Sequence, residues 1–206
     1  MSTTSTEKLV VVPPATTAPV DARVERSRAK LLAAATELLV AAGPAALTVD
    51  AVAERSGVAK STLYRHWPSR EALMIDVLRE NMPCIPEFDR SLGFEKRLRG
   101  YLRALADTFA DPEWARILPA LFSLKSQCAE IGALTDTDRD EKVAMLTELL
   151  DAGAAEGVIP AGLDPHSVAA MLVGPLMMCV LTGESDTVHQ VAEFTADRFL
   201  ASYRHA

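Results

Sequence analysis

From residue 22 onward, apolar residues recur every three or four positions almost without a break. Nowhere does an apolar/polar alternation run long enough to suggest a strand. That pattern commits the chain to helices packed on helices, an all-α fold. What divides it is a set of glycines and prolines: Gly43-Pro44, Gly57, Pro68, the stretch "NMPCIPEFDRSLG" at 81–93, Gly157 and Pro165. Aromatics make up only 5 % of the residues. A core built mainly from Ala and Leu follows, and it lets helices approach closely.

Between the breaks the elements can be placed. A first helix spans about 23–42, with its apolar stripe on Leu31, Ala35, Leu38 and Ala42. Thr48 is the side-chain cap of a short second helix from Val49 to about Ser56, and Asp50 stands in its first turn, where the helix dipole favours an acid. A third helix runs from about Lys60 to Trp67, and Ser69 caps a fourth that reaches about Glu80. The proline-rich stretch 81–93 reads as an irregular connector. Beyond it, one helix buries Phe94, Leu98, Tyr101, Leu105 and Phe109. The next opens at Asp111-Pro112, and its Pro119 is expected to kink it or end it early. Another spans about Asp136 to Glu156. Asp164-Pro165 opens a nearly wholly apolar helix with Gly174-Pro175 as a kink, and a last helix covers Thr187 to Tyr203.

The 206 residues carry a formal net charge of -7, unevenly spread. Residues 21–80 hold nine Lys/Arg against eight Asp/Glu, while residues 81–206 hold eleven against nineteen. The acidity therefore belongs to the second part and leaves the first free to meet a polyanion. Three cysteines, Cys84, Cys128 and Cys179, are widely spaced and in no CxxC arrangement, so they read as reduced thiols rather than as a disulfide frame or zinc site. No apolar run is long enough to span a bilayer, and the first twenty residues, with a four-residue apolar core and no basic leader, read as a mobile, disordered tail. The expected location is the cytoplasm.

Catalytic constellations are missing from the sequence. There is no HExxH, no glycine-rich phosphate loop and no GxSxG, and the four histidines lie far apart. Acidic "DTDRDE" at 136–141 lacks the glycine and terminal glutamate of a calcium loop. No enzyme, metal or cofactor is expected. The rival reading, an all-α enzyme or small-molecule binder with a vestigial DNA-binding domain, needs clustered titratable residues that the second part does not present.

The segment that stands out is "SGVAKSTLYRHWPSREAL" at 56–73. Two short helices flank Gly57, Val58 plugs the turn and Leu63 anchors the second helix, the spacing of a helix-turn-helix. The second of these helices offers Lys60, Ser61, Thr62, Tyr64, Arg65 and His66, donors suited to phosphates and base edges. A plain helical hairpin has no use for such a surface. Together with the preceding "RAKLLAAATELLVAAG" and "LTVDAVAER", the segment resembles the N-terminal domain of the TetR family of transcriptional regulators over about Arg23 to Leu78. It departs from the usual pattern at Trp67, where Phe is commonest, at Arg70, where Lys is, and at Ala59, where a capping Ser is frequent.

The resemblance implies a three-helix DNA-binding domain over 21–67, a connecting helix over 68–81 and a helical effector-binding and dimerisation domain over 82–206. It implies a homodimer paired through the last two helices on a near-palindromic double-stranded operator, usually as a repressor released by a small, hydrophobic effector. An activator is the closer alternative. Residue by residue, it implies phosphate contacts from Thr48, Tyr64 and His66, groove entry by Lys60 and Ser61, and a grip on the backbone by Arg70. Arg65 is open between reading guanine and facing solvent, and Thr62 between DNA and the helix interior. Arg23, Arg26 and Arg28 are open between DNA contacts and a solvated basic stretch. In the second domain, Trp114, Phe122, Met145, Met171, Met177 and Met178 are candidates to line an effector cavity, against plain core.

Overall fold

The computed structural model describes residues 22–86 and 89–204. The expected disordered tail, 1–20, falls outside them. Among the described residues there are nine α-helices, two short 3-10 turns and no strand. None of these helices is long and apolar enough to cross a membrane.

Four helices form the first body: α1 (Ala22–Ala42), α2 (Val49–Ser56), α3 (Lys60–His66) and α4 (Arg70–Asn81). Local chemistry sets their ends. The Thr48 hydroxyl accepts from the Ala51 N–H at 3.2 Å, and the Ser69 hydroxyl accepts from the Ala72 N–H at 3.1 Å. Gly57 closes α2 at φ 67°, a left-handed conformation that a side chain would strain. Ser56 secures the turn, its hydroxyl accepting from the Val58 N–H at 3.2 Å. Inside, Leu31, Ala35 and Leu39 of α1 meet Leu47, Val52, Leu63 and Trp67, all buried.

The second body is α5 (Phe94–Ala110), α6 (Pro112–Lys125), α7 (Ala129–Ala155), α8 (Pro165–Leu181) and α9 (Val188–Tyr203). Helices α5, α8 and α9 pack mutually, and α6 and α7 close over them. Arg99 of α5 ties this packing to α9, donating to Asp197 at 2.7 Å and Glu193 at 3.2 Å. Where α7 crosses α5, a Cβ on Gly153 would stand 2.7 Å from the Phe94 ring. The backbone of α7 thus lies directly on that ring. One turn later the Glu156 carboxylate accepts from the Phe94 N–H at 2.8 Å and caps α5, for which Gly93 has no side chain.

Two boundaries differ from expectation. Pro119 neither ends α6 nor shortens it. It lies on the exposed side, where water can reach the carbonyl it leaves unserved. Helix α7 begins at Ala129, seven residues before the expected Asp136. No capping side chain announces that start, but Ile131 is buried at 2 % exposure, and its burial draws the additional turns into the helix.

Candidate nucleic-acid interface

On α3, Leu63 points into the core while Lys60, Ser61, Tyr64 and Arg65 form one exposed face. The i, i+1, i+4, i+5 spacing of these four makes a continuous stripe. Tyr64 is 54 % exposed, unusual for so large a ring without a partner surface. Thr62 and His66 flank the stripe half-buried, and the His66 ring lies 5.3 Å from that of Trp67. Arg65 thus falls on the outward face, while Thr62 lies partly within the packing. Thr48 uses a lone pair to cap α2 and retains its O–H for donation.

Lys60 reaches back to α2, where its Nζ sits 2.6 Å from the Asp50 carboxylate. The hydrogen bond to Asp50, then its charge, raise the pKa of Lys60 above the ordinary lysine value. The ammonium is thus held protonated and parked on an acid at the rim of the exposed face. Sequence reading missed this role of Asp50, because a first-turn acid already has a local explanation in the helix dipole.

Two braces hold α3 in place, and neither was expected. Arg70, expected to grip the DNA backbone, donates its Nε to the Leu47 carbonyl at 2.7 Å and its Nη2 to the Pro44 carbonyl. The guanidinium therefore ties the start of α4 to the turn before α2. On the other side Trp67 is buried at 2 % exposure, and its indole N–H donates to Asp76 Oδ2 at 2.9 Å. Arg28 donates to the same oxygen at 2.8 Å and lies 5.5 Å over the Trp67 ring, and Arg79 donates to Oδ1 at 2.7 Å. Burial of Asp76 alone would raise its pKa, but the bonds from Trp67 and Arg28 and the nearby positive charges outweigh it and leave the carboxyl below its ordinary value. Arg28 is a packing residue of this cluster rather than part of a solvated basic stretch. The departures from family habit at Trp67 and Arg70 are both absorbed by these braces.

A cavity of about 460 Å³ lies within the second body, between α5, α6, α7 and α8. Of the candidates, Trp114, Phe122 and Met177 line it. Met145 does not, and packs partly buried against the core. Met171 and Met178 are turned to the outer side of α8 at 49 % and 54 % exposure, so they are surface rather than cavity residues. Tyr101, Leu105 and Phe109 of α5 complete the apolar wall, and Gly174 borders it where a Cβ would touch nothing within 4 Å. Met82, Pro83 and Ile85, directly after α4, form part of the same wall. Among the described residues no three His, Cys, Asp or Glu side chains gather as a metal site.

A family model described as bacterial regulatory proteins, tetR family, matches residues 31–77, and a tetracyclin repressor-like C-terminal domain model matches residues 93–199. The chain belongs to the TetR family. It is accordingly a transcriptional regulator with a helix-turn-helix DNA-binding domain, from a family of regulators and not of enzymes. Between the two matches lie the end of α4 and the connector that walls the cavity. The TetR-family chain is 33 % identical over 88 residues to the transcriptional activator FasR of Mycolicibacterium smegmatis, covering 42 % of this chain and 40 % of that protein. It spans under half the length of the curated relatives it matches. Its fold is similar to that of Salmonella enterica GusR (TM-score 0.70, 16 % identity, 88 % of this chain and 96 % of the other). It is also similar to the flavonoid-responsive regulator FrrA (TM-score 0.61, 23 % identity, 86 % and 96 %).

Proposed function

We propose that this TetR-family regulator is a cytoplasmic, homodimeric repressor that leaves its operator when a small, mainly hydrophobic ligand fills the cavity between α5, α6, α7 and α8. The observation that carries the reading is the continuity of α4. Its Asp76 holds the end of the recognition helix through Trp67, and Met82, Pro83 and Ile85 just after it wall the cavity. A ligand that binds best to a conformer with α4 displaced shifts the population toward that conformer and carries the recognition helix with it. FrrA, a neighbour in fold, is a flavonoid-responsive regulator, which agrees with control by a small molecule.

On DNA, Lys60, Ser61, Tyr64 and Arg65 form the reading face, with Thr48 and His66 at its phosphate edges. Arg70 acts by holding the turn rather than by touching the backbone. Dimerisation through the last two helices places two such faces in successive major grooves, about 34–36 Å apart on a near-palindrome.

Gel-shift titration with the DNA upstream of the protein's own gene tests the reading. Tyr64→Ala and Lys60→Ala should each weaken specific binding by about tenfold or more while the circular dichroism stays that of the wild type. Equal binding by the folded variants would displace the reading face from α3. The match to FasR, an activator, motivates the opposite sign of control. Transcript levels of the bound genes in a deletion strain decide it: a rise supports repression and a fall activation.

A further inference from the structure

The ligand cavity is not uniform along its length. Helix α6 forms one side, from Trp114 in its first turn to Lys125 at its end, a separation of about 16 Å at 1.5 Å per residue. The lining drawn from α5 and the segment after α4 includes Met82, Ile85, Tyr101, Leu105 and Phe109 and holds no charged side chain. At the end of α6 and on α7 stand Lys125, Arg139 and Lys142 with one lining acid, Asp138, and His166 of α8 also belongs to the lining. The charges are arranged with a direction. Lys125 lies 2.5 Å from Asp136, and Arg139 lies 3.0 Å from Asp136 and from Asp140, yet neither of those acids belongs to the lining. Asp138, which does line the cavity, is already engaged by Lys142. The lining at this pole thus holds three cations against a single carboxylate, already engaged by Lys142.

We propose that the ligand is an elongated anion, with an apolar body along the inner face of α6 and a carboxylate or similar anionic head at the Lys125–Arg139–Lys142 pole. This rests on the cavity being the effector site, as read above. Exposure is graded across the pole: the Lys142 and Asp138 side chains retain 23 % and 27 % of their accessibility, Lys125 36 % and Arg139 54 %. Solvent therefore screens Lys142 least, and Arg139 stands at the open rim of the pole. A neutral head forgoes the charge-assisted bonds. A cationic head faces three positive side chains and a single acid that already has a partner.

Three probes of equal chain length separate these cases: dodecanoate, dodecanol and dodecyltrimethylammonium, each titrated below its micelle-forming range into the full-length protein. Titration calorimetry supplies the affinities, and a change in tryptophan emission that is lost in Trp114→Phe reports entry into the cavity. Dodecanoate should bind about tenfold or more tightly than dodecanol, and the ammonium compound most weakly. Lys125→Gln should narrow the gap between dodecanoate and dodecanol while leaving dodecanol unchanged. Gly174→Leu, which places a side chain where the backbone now borders the cavity, should abolish binding of all three. Equal or tighter binding of dodecanol or the ammonium compound overturns the anionic head while leaving the cavity as a ligand site. No binding by any probe, or undiminished binding to folded Gly174→Leu protein, overturns the cavity reading and the proposal with it.

Discussion

Two acidic side chains, Asp76 and Asp50, decide how the exposed face of α3 is held. Asp76 receives three donors, from Trp67, Arg28 and Arg79. Trp67→Phe keeps an aromatic ring but removes one donor and part of the buried indole, and should cost about 1–3 kcal/mol in urea unfolding at pH 7; Asp76→Ala leaves Arg28 and the indole N–H unserved and should cost about 2–3 kcal/mol. The pH dependence follows from the lowered pKa of Asp76 in the folded protein. Its contribution is present in full above the unfolded carboxyl value, about 3.9, and is lost as pH falls through the lower folded value. The stability gap between wild type and Asp76→Ala should therefore close in acid below about pH 4, and a gap that persisted there would mean that packing, not the charge cluster, holds Trp67. Asp50 works in the opposite sense, since it holds Lys60 at the rim of the face. Asp50→Asn should raise operator affinity severalfold at low salt, and the gain should shrink as salt screens the pair. Affinity that falls instead would make Asp50 a positioning residue for α2.

At the scale of elements, the first body was legible because its signals are local. Thr48, Gly57 and Ser69 each act on backbone within three residues, and α2 and α4 begin where these caps place them. Arg70 was not legible, since the carbonyls it serves lie 23 and 26 residues earlier in the chain. The second body shows the same limit. Met177 and Met178 are neighbours about 100° apart around α8, and only packing against α5 and α6 decides that the first faces the cavity and the second faces out. Composition marks both as candidates and cannot choose. The crossing of α7 over α5 is likewise a property of two distant helices. Gly153→Ala puts a methyl group 2.7 Å from the Phe94 ring, which is itself fully buried. A shift of α7 follows, with an expected loss of about 1–3 kcal/mol in thermal or urea unfolding, despite the better helix propensity of Ala. Unchanged or increased stability would show that the ring gives way without cost.

For the whole molecule, the deciding surface is the one that the single chain leaves uncovered. Met171, Met178 and Leu181 on α8 and Phe194 on α9 are 49 %, 54 %, 47 % and 62 % exposed, while the opposite sides of the same helices are buried. Large apolar side chains concentrated on two adjoining helices are what a symmetric interface requires, and on a monomer they would invite association. In the proposed dimer, operator binding depends on this face indirectly, because two recognition helices on one rigid body bind with an effective concentration that two separate chains lack. Met178→Glu with Leu181→Glu changes two exposed positions, so the fold should survive, whereas a paired interface would bury both charges without partners. Sedimentation velocity should show the wild type as a dimer and the double variant as a monomer at micromolar concentration. Affinity for the full operator should drop by about a hundredfold or more, while the weak affinity for an isolated half-site stays where it was, since α3 is untouched. A variant that remains dimeric and still binds the full operator tightly would move the interface off α8 and α9. A loss of half-site binding would instead reveal that these helices support the reading head directly.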